Sequence, residues 1–159
     1  MTSRNAVTLR VTNACIRVLN GTSKALVARI RSHPPSELRI SSVTRAELLF
    51  GARRSPRVAE NLGLLRTFFA PILSLAFDDA CAEHYGALRA SLAAAGRPIG
   101  PNDLLIAATA LAHDLTLVTH NLREFSRVAG LKIEDWEGTP SQHAVPPAGR
   151  ISRWLKNSC

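Results

Sequence analysis

Apolar residues change their period several times along this chain, and each change marks an element. Val7, Leu9 and Val11 alternate with polar neighbours over residues 6–11, as in a short strand. Thr12-Asn13 then turns into an amphipathic stretch over 14–19 that ends at Asn20-Gly21. Residues 23–32 place Leu26, Val27 and Ile30 on one helical face before Pro34-Pro35 stops the helix. Residues 38–43 read as a strand, with a helix opening at Thr44. Pro56 introduces a further helix whose stripe is Leu62, Leu65, Phe68 and Phe69. A strand is expected over 72–77. A helix capped by Asp78-Asp79 follows, carrying Tyr85, Leu88 and Leu92 toward Gly96. Pro98-Ile99-Gly100-Pro101 is a turn, and Asn102 or Asp103 can cap the nearly all-apolar helix from Leu104 to Ala112. Strand 115–119, a short helix near 122–128 and strand 131–133 complete the pattern.

Strands alternating with helices predict an α/β fold, with a mainly parallel sheet flanked by helices on both faces. From Gly138 onward, Pro140, Pro146, Pro147 and Gly149 among polar residues break the pattern, so 138–159 is expected to be a mobile tail. No internal repeat is visible. At 159 residues and 46% apolar content, one domain with an adequate core is expected.

The net formal charge of +8 favours a polyanionic partner. Its distribution is uneven: Arg4, Arg10, Arg17, Lys24, Arg29 and Arg31 all precede the first acid, Glu37. An RNA-binding face, a solvated flank or a surface for an acidic protein would each look like this. Cys15, Cys81 and Cys159 have no paired spacing, which points to free thiols in a reducing cytoplasm. No apolar run has signal-peptide or membrane-span character, so a soluble cytoplasmic protein is expected.

In such a sheet, ligands bind beyond the carboxyl ends of the strands. Thr12 and Asn13 follow the first strand, Thr44 and Glu47 the second, and His120, Asn121 and Glu124 the fourth. Asp103 begins a helix that should start at the same edge. Each acid has a plainer explanation, because Thr44-x-x-Glu47 and Asn121-x-x-Glu124 fit capping boxes and Asp103 fits a first-turn cap. Capping does not explain why Glu47, Asp103 and Glu124 should gather. Clustered carboxylates repel unless a cation lies among them, and oxygen ligands suit Mg²⁺ or Mn²⁺. The joint reading is metal-dependent cleavage of nucleic acid. His33, His84, His113, His120 and His143 make no metal-ligand spacing, although His120 could touch a scissile phosphate. Arg53, Arg54 and Arg57 could bind phosphates or form a solvated helix end.

Four segments resemble the PIN-domain toxins of VapC type, the ribonuclease halves of toxin–antitoxin pairs. They are Thr12-Asn13-Ala14-Cys15-Ile16, Ser42 to Leu48, Gly100 to Ala107, and Leu117 to Phe125. Gly130-Leu131-Lys132-Ile133-Glu134-Asp135-Trp136 also looks like that family's end. The resemblance implies a PIN-like nuclease domain over 1–137. It implies Glu47, Asp103 and Glu124 as ligands of Mg²⁺ or Mn²⁺, with Asn121 beside them and Thr12 and Asn13 as a polar pair at the first ligand. It further implies RNA hydrolysis with tRNA a frequent target, a homodimer, and silencing by a VapB-type antitoxin.

One position departs from the family pattern. Val11 stands where the first catalytic aspartate is expected, and it supplies neither a lone pair nor a charge. The reading is therefore an endoribonuclease attenuated by Val11. The alternatives are an inactive PIN-fold module that binds an antitoxin or RNA, and a DNA-directed nuclease of the same fold.

Overall fold

A computed structural model describes residues 8–10 and 24–137 of the chain. Val11, Thr12, Asn13, the amphipathic stretch over 14–19 and the tail from Gly138 lie outside the described residues. The elements run β1 (Thr8–Arg10), α1 (Lys24–Arg31), a 3₁₀ turn (Pro35–Glu37), β2 (Leu38–Ser41), α2 (Ser42–Arg54) and α3 (Val58–Phe69). They continue with β3 (Leu73–Leu75), α4 (Asp79–Ala94), α5 (Pro101–Ala112), β4 (Thr116–Val118), α6 (Leu122–Phe125) and β5 (Lys132–Glu134).

All five strands pair in parallel, in the order β3-β2-β1-β4-β5. Leu9 in the central strand lies opposite Arg39 on one side and Leu117 on the other. The chain moves outward from β1 through β2 to β3, then returns to the far side of β1 as β4. That reversal creates a topological switch point between β1 and β4, where parallel sheets carry their ligand crevices.

Because successive strand residues face opposite sides, Leu117 and Val118 serve two separate cores. One face packs Leu26 and Ile30 of α1, Leu48 of α2, and Leu65, Phe68 and Phe69 of α3 over Leu38, Ile40 and Val118. Trp136 joins this face, its ring stacked on His33 at 4.8 Å and 4°. The other face packs Leu88 and Leu92 of α4 and Ile106, Ala107 and Ala110 of α5 over Leu117, with Phe125 of α6. Ala107, Ala108 and Ala110 are fully buried, and side chains this small let α5 lie close to its neighbours. Helix α4 ends at Gly96 in the left-handed region (φ 65°), where Arg97 N–H reaches Leu92 O and Gly96 N–H reaches Ala93 O.

Three helix starts differ from the sequence expectation. Helix α2 begins at Ser42, two residues before Thr44, because Ser41 Oγ accepts Thr44 N–H at 2.9 Å and ends the strand there. Helix α5 begins at Pro101, with Gly100 rather than Asn102 or Asp103 at its N-cap. Helix α3 begins at Val58, past Pro56. Helix α6 is also shorter than expected and stops at Phe125.

Phe125, 1% exposed, anchors α6 against the second core. Phe125→Ala should lower stability by about 3–5 kcal/mol, as large-to-small core changes do, measured as the shift in urea denaturation. A loss under about 1 kcal/mol would mean that α6 is not held by this contact.

Candidate active site

Three carboxylates approach one another at the carboxyl edge of the sheet, and each reaches it from a different element. Glu47 comes from α2, which follows β2 and packs on the first face. Asp103 comes from the first turn of α5 on the opposite face, and Glu124 from α6 after β4. The sheet ends between them.

The capping explanations fail for these acids one by one. The side chain that caps α2 belongs to Ser41, whose Oγ also donates to the buried Thr44 Oγ1 at 2.9 Å. Glu47 therefore lies in the second turn, beyond any cap. Instead its Oε1 accepts from the Asn102 side-chain amide, across 55 residues of sequence. No side chain caps α5, so Asp103 does not act as one. No side chain caps α6 either: Asn121 N–H donates to Thr119 Oγ1 at 2.9 Å, and Glu124 Oε2 accepts Gly100 N–H at 3.2 Å. The N-terminal end of α5 thus holds two of the three acids, Glu47 through Asn102 and Glu124 through the N-cap Gly100.

Asp103 lies at the same helix end, since a Cβ added to Gly100 would come 3.7 Å from Asp103 Oδ2. Its carboxyl is raised above the usual carboxylate range, first by burial, then by the charge of Glu124, then by that of Glu47. A half-buried acid facing two other acids is an electrostatic liability without a cation. The donor set, three carboxylates and an amide, suits a hard oxygen-seeking divalent ion. As a trio, the oxygens do not close to within 4.8 Å of one another, a spacing that among the described residues two other groups reach. The acids fit such an ion in the chemistry of their donors.

Sequence reasoning placed Glu47, Asp103, Glu124 and Asn121 at one edge, and the structure brings them there. Thr12, Asn13 and Val11 lie outside the described residues, although β1 ends at Arg10 in the central strand. Asn102 and Gly100 were missed as supports of the acids. Their signal was present in the Gly-Pro-Asn-Asp turn, where Asn102 read only as a cap. His120 Nδ1 lies 3.1 Å from Asp135 Oδ2 and 3.5 Å from Glu137 Oε2 beyond β4 and β5. Arg53 and Arg54 are exposed in the last turn of α2, and Arg57 pairs with Glu60 at 3.6 Å, in keeping with a solvated helix end.

The chain is similar to known proteins in sequence and in fold. The family model "PIN domain" matches residues 11–131. A tRNA(fMet)-specific endonuclease VapC of Shigella flexneri is 42% identical over 125 residues, covering 79% of this chain and 94% of that protein. The structure of DNA-bound VapBC from Salmonella typhimurium is similar at a TM-score of 0.78 and 37% identity, covering 82% of this chain and 98% of that one. VapBC2 from Rickettsia felis, bound to a fragment of its promoter, gives a TM-score of 0.76 and 34% identity over 81% of this chain and 98% of that one.

Because burial and like charge raise Asp103, its protonated form is favoured in the folded state. The associated stability is full below the unfolded pKa and is lost as pH rises through the folded one. Asp103→Asn should accordingly stabilise the metal-free protein at neutral pH by on the order of 1 kcal/mol. The gain should shrink as pH falls through the carboxylate range. Thermal melts of both proteins between acid and neutral pH check this, and a destabilised variant at pH 7 would contradict it.

Proposed function

This chain belongs to the PIN-domain family, among its VapC-type ribonucleases, and we propose on that footing that it is the toxin of a toxin–antitoxin pair. It is a divalent-metal-dependent endoribonuclease that hydrolyses RNA, with tRNA as substrate. Mg²⁺ or Mn²⁺ is its ion, held by Glu47, Asp103 and Glu124. The observation that carries this reading is the convergence of those three acids from separate helices at the carboxyl edge of a parallel sheet, where capping does not account for them and, among the described residues, no salt bridge does.

When bound, such an ion supplies polarisation of the attacking water and steadies the charge that builds on the scissile phosphate. The chain's own residues prepare for this. Asn102 fixes Glu47 and Gly100 N–H fixes Glu124, so the acids are oriented before substrate arrives. Asp103, half-buried and facing Glu47 and Glu124, is the acid whose ionised form a bound cation would favour most. Asn121, with its backbone held by Thr119, stands next to Glu124 as a polar contact for RNA. Thr12 and Asn13 supply the polar pair beside the first strand. The net charge of +8 draws in the RNA backbone and would equally suit an acidic antitoxin segment. A VapB-type antitoxin is the protein partner, and the active unit is a homodimer of the cytoplasm. Among the described residues, no helix is long and apolar enough to cross a membrane.

Val11 follows the central strand, and the resemblance expects the first acid there. Without that carboxylate the site has fewer ligands and less charge, so activity as written is attenuated. This favours a second reading, a PIN-fold module that binds antitoxin or RNA without cleaving. Val11→Asp should raise Mg²⁺-dependent cleavage of total tRNA at least about 100-fold, which corresponds to about 2.7 kcal/mol of barrier. Adding Asp103→Asn should abolish it. A folded Val11→Asp protein that degrades no RNA would overturn the toxin reading, and degradation of DNA instead would redirect it.

A further inference from the structure

A second group of ligating side chains lies at the other end of the α4–α5 pair. Asp78 is the N-cap of α4, and its Oδ1 accepts Cys81 N–H at 3.0 Å. Cys81, in the first turn, is fully buried, with its Sγ 3.8 Å from Ala76 O. His113 closes α5 as its C-cap. One ligand atom from each of the three lies within 4.8 Å of the others. Asp103 in the first turn of α5 and His113 at its C-cap are separated by about 15 Å at 1.5 Å per residue, which sets this group apart from the acidic site.

We propose that Asp78, Cys81 and His113 form a separate metal site for a zinc-class ion. A thiol, an imidazole and a carboxylate are the donors that such borderline-soft ions take, and three protein ligands leave a fourth position for water. The all-oxygen cluster at the opposite end selects harder ions, so the two sites differ in chemistry as well as in place. Capping accounts for Asp78 and core packing for Cys81. Neither accounts for an imidazole from another helix converging on the same point, 32 positions along the chain.

A nucleophilic role for Cys81 is excluded by its surroundings. Burial raises the thiol above its ordinary range, so it is not a free thiolate nucleophile. Asp78 is held ionised by the Cys81 N–H and thiol and by His113. Asp78 and His113 are exposed and Cys81 is buried, so the sulfur would be the innermost ligand of a bound ion. Binding forms one metal–sulfur bond and releases the thiol proton to water. The ion would tie the start of α4 to the end of α5, and so stabilise the helix that presents Asp103 at its far end. This site does not depend on the nuclease reading.

The test uses Co²⁺ as a spectroscopic probe of the full-length chain carrying Cys15→Ser and Cys159→Ser, so that Cys81 is its only thiol. One equivalent of Co²⁺ should give a thiolate-to-cobalt charge-transfer band and raise Tm, and Zn²⁺ should displace it. The band should vanish in Cys81→Ser, and Co²⁺ affinity should fall at least tenfold in His113→Ala, whose exposed position keeps the fold intact. Asp103→Asn should leave the band unchanged. No band in the folded protein overturns the site, as does full affinity in His113→Ala or loss of the band in Asp103→Asn.

Discussion

The candidate site depends on the N-terminal end of α5, Gly100 to Asp103, which holds two carboxylates while presenting a third. Asn102 donates to Glu47, Gly100 N–H donates to Glu124, and Asp103 stands at the same end. Glu47 and Asp103 belong to helices on opposite faces of the sheet, and they can meet only beyond its carboxyl edge. The parallel topology therefore decides where the acids can gather, and that end of α5 holds them there against their repulsion. Asp103 registers the cost in its raised carboxyl.

Position 11 gives the arrangement a second consequence. The central strand β1 ends at Arg10, and the next residue in the sequence is valine. A β-branched residue has good strand propensity, so the fold has no need of an acid at position 11. Chemistry does have such a need. The protein thus separates two demands that are joined in a complete site, for its scaffold is intact while its proposed ligand set is one carboxylate short.

Much of the fold could be read from the sequence, because strands of period two and helices of period 3.6 alternate and Pro or Gly ends most of them. The sheet edge that carries Glu47, Asp103 and Glu124 could be read as well, since ligand positions in such sheets follow from topology. Helix starts were less legible. Ser41, Thr44, Asn102 and Asp103 are all residues that cap, and only geometry shows that Ser41 Oγ and the Gly100 backbone hold those places. For the same reason Asn102 was taken for a cap, when it is the partner of Glu47. The cluster of Asp78, Cys81 and His113 was invisible in the sequence, because helix pairing brings together residues with no short spacing between them.

If the acids at the sheet edge are a cation site that lacks its first ligand, restoring that ligand must tighten the hold on the ion. Calorimetric titration with Mn²⁺ measures this directly. The Val11→Asp variant should bind Mn²⁺ at least about tenfold more tightly than the unmodified chain, a difference of about 1.4 kcal/mol, and Asp103→Asn should remove the heat in both. Equal affinities for the Val11→Asp variant and the unmodified chain, or binding that survives Asp103→Asn, would contradict it.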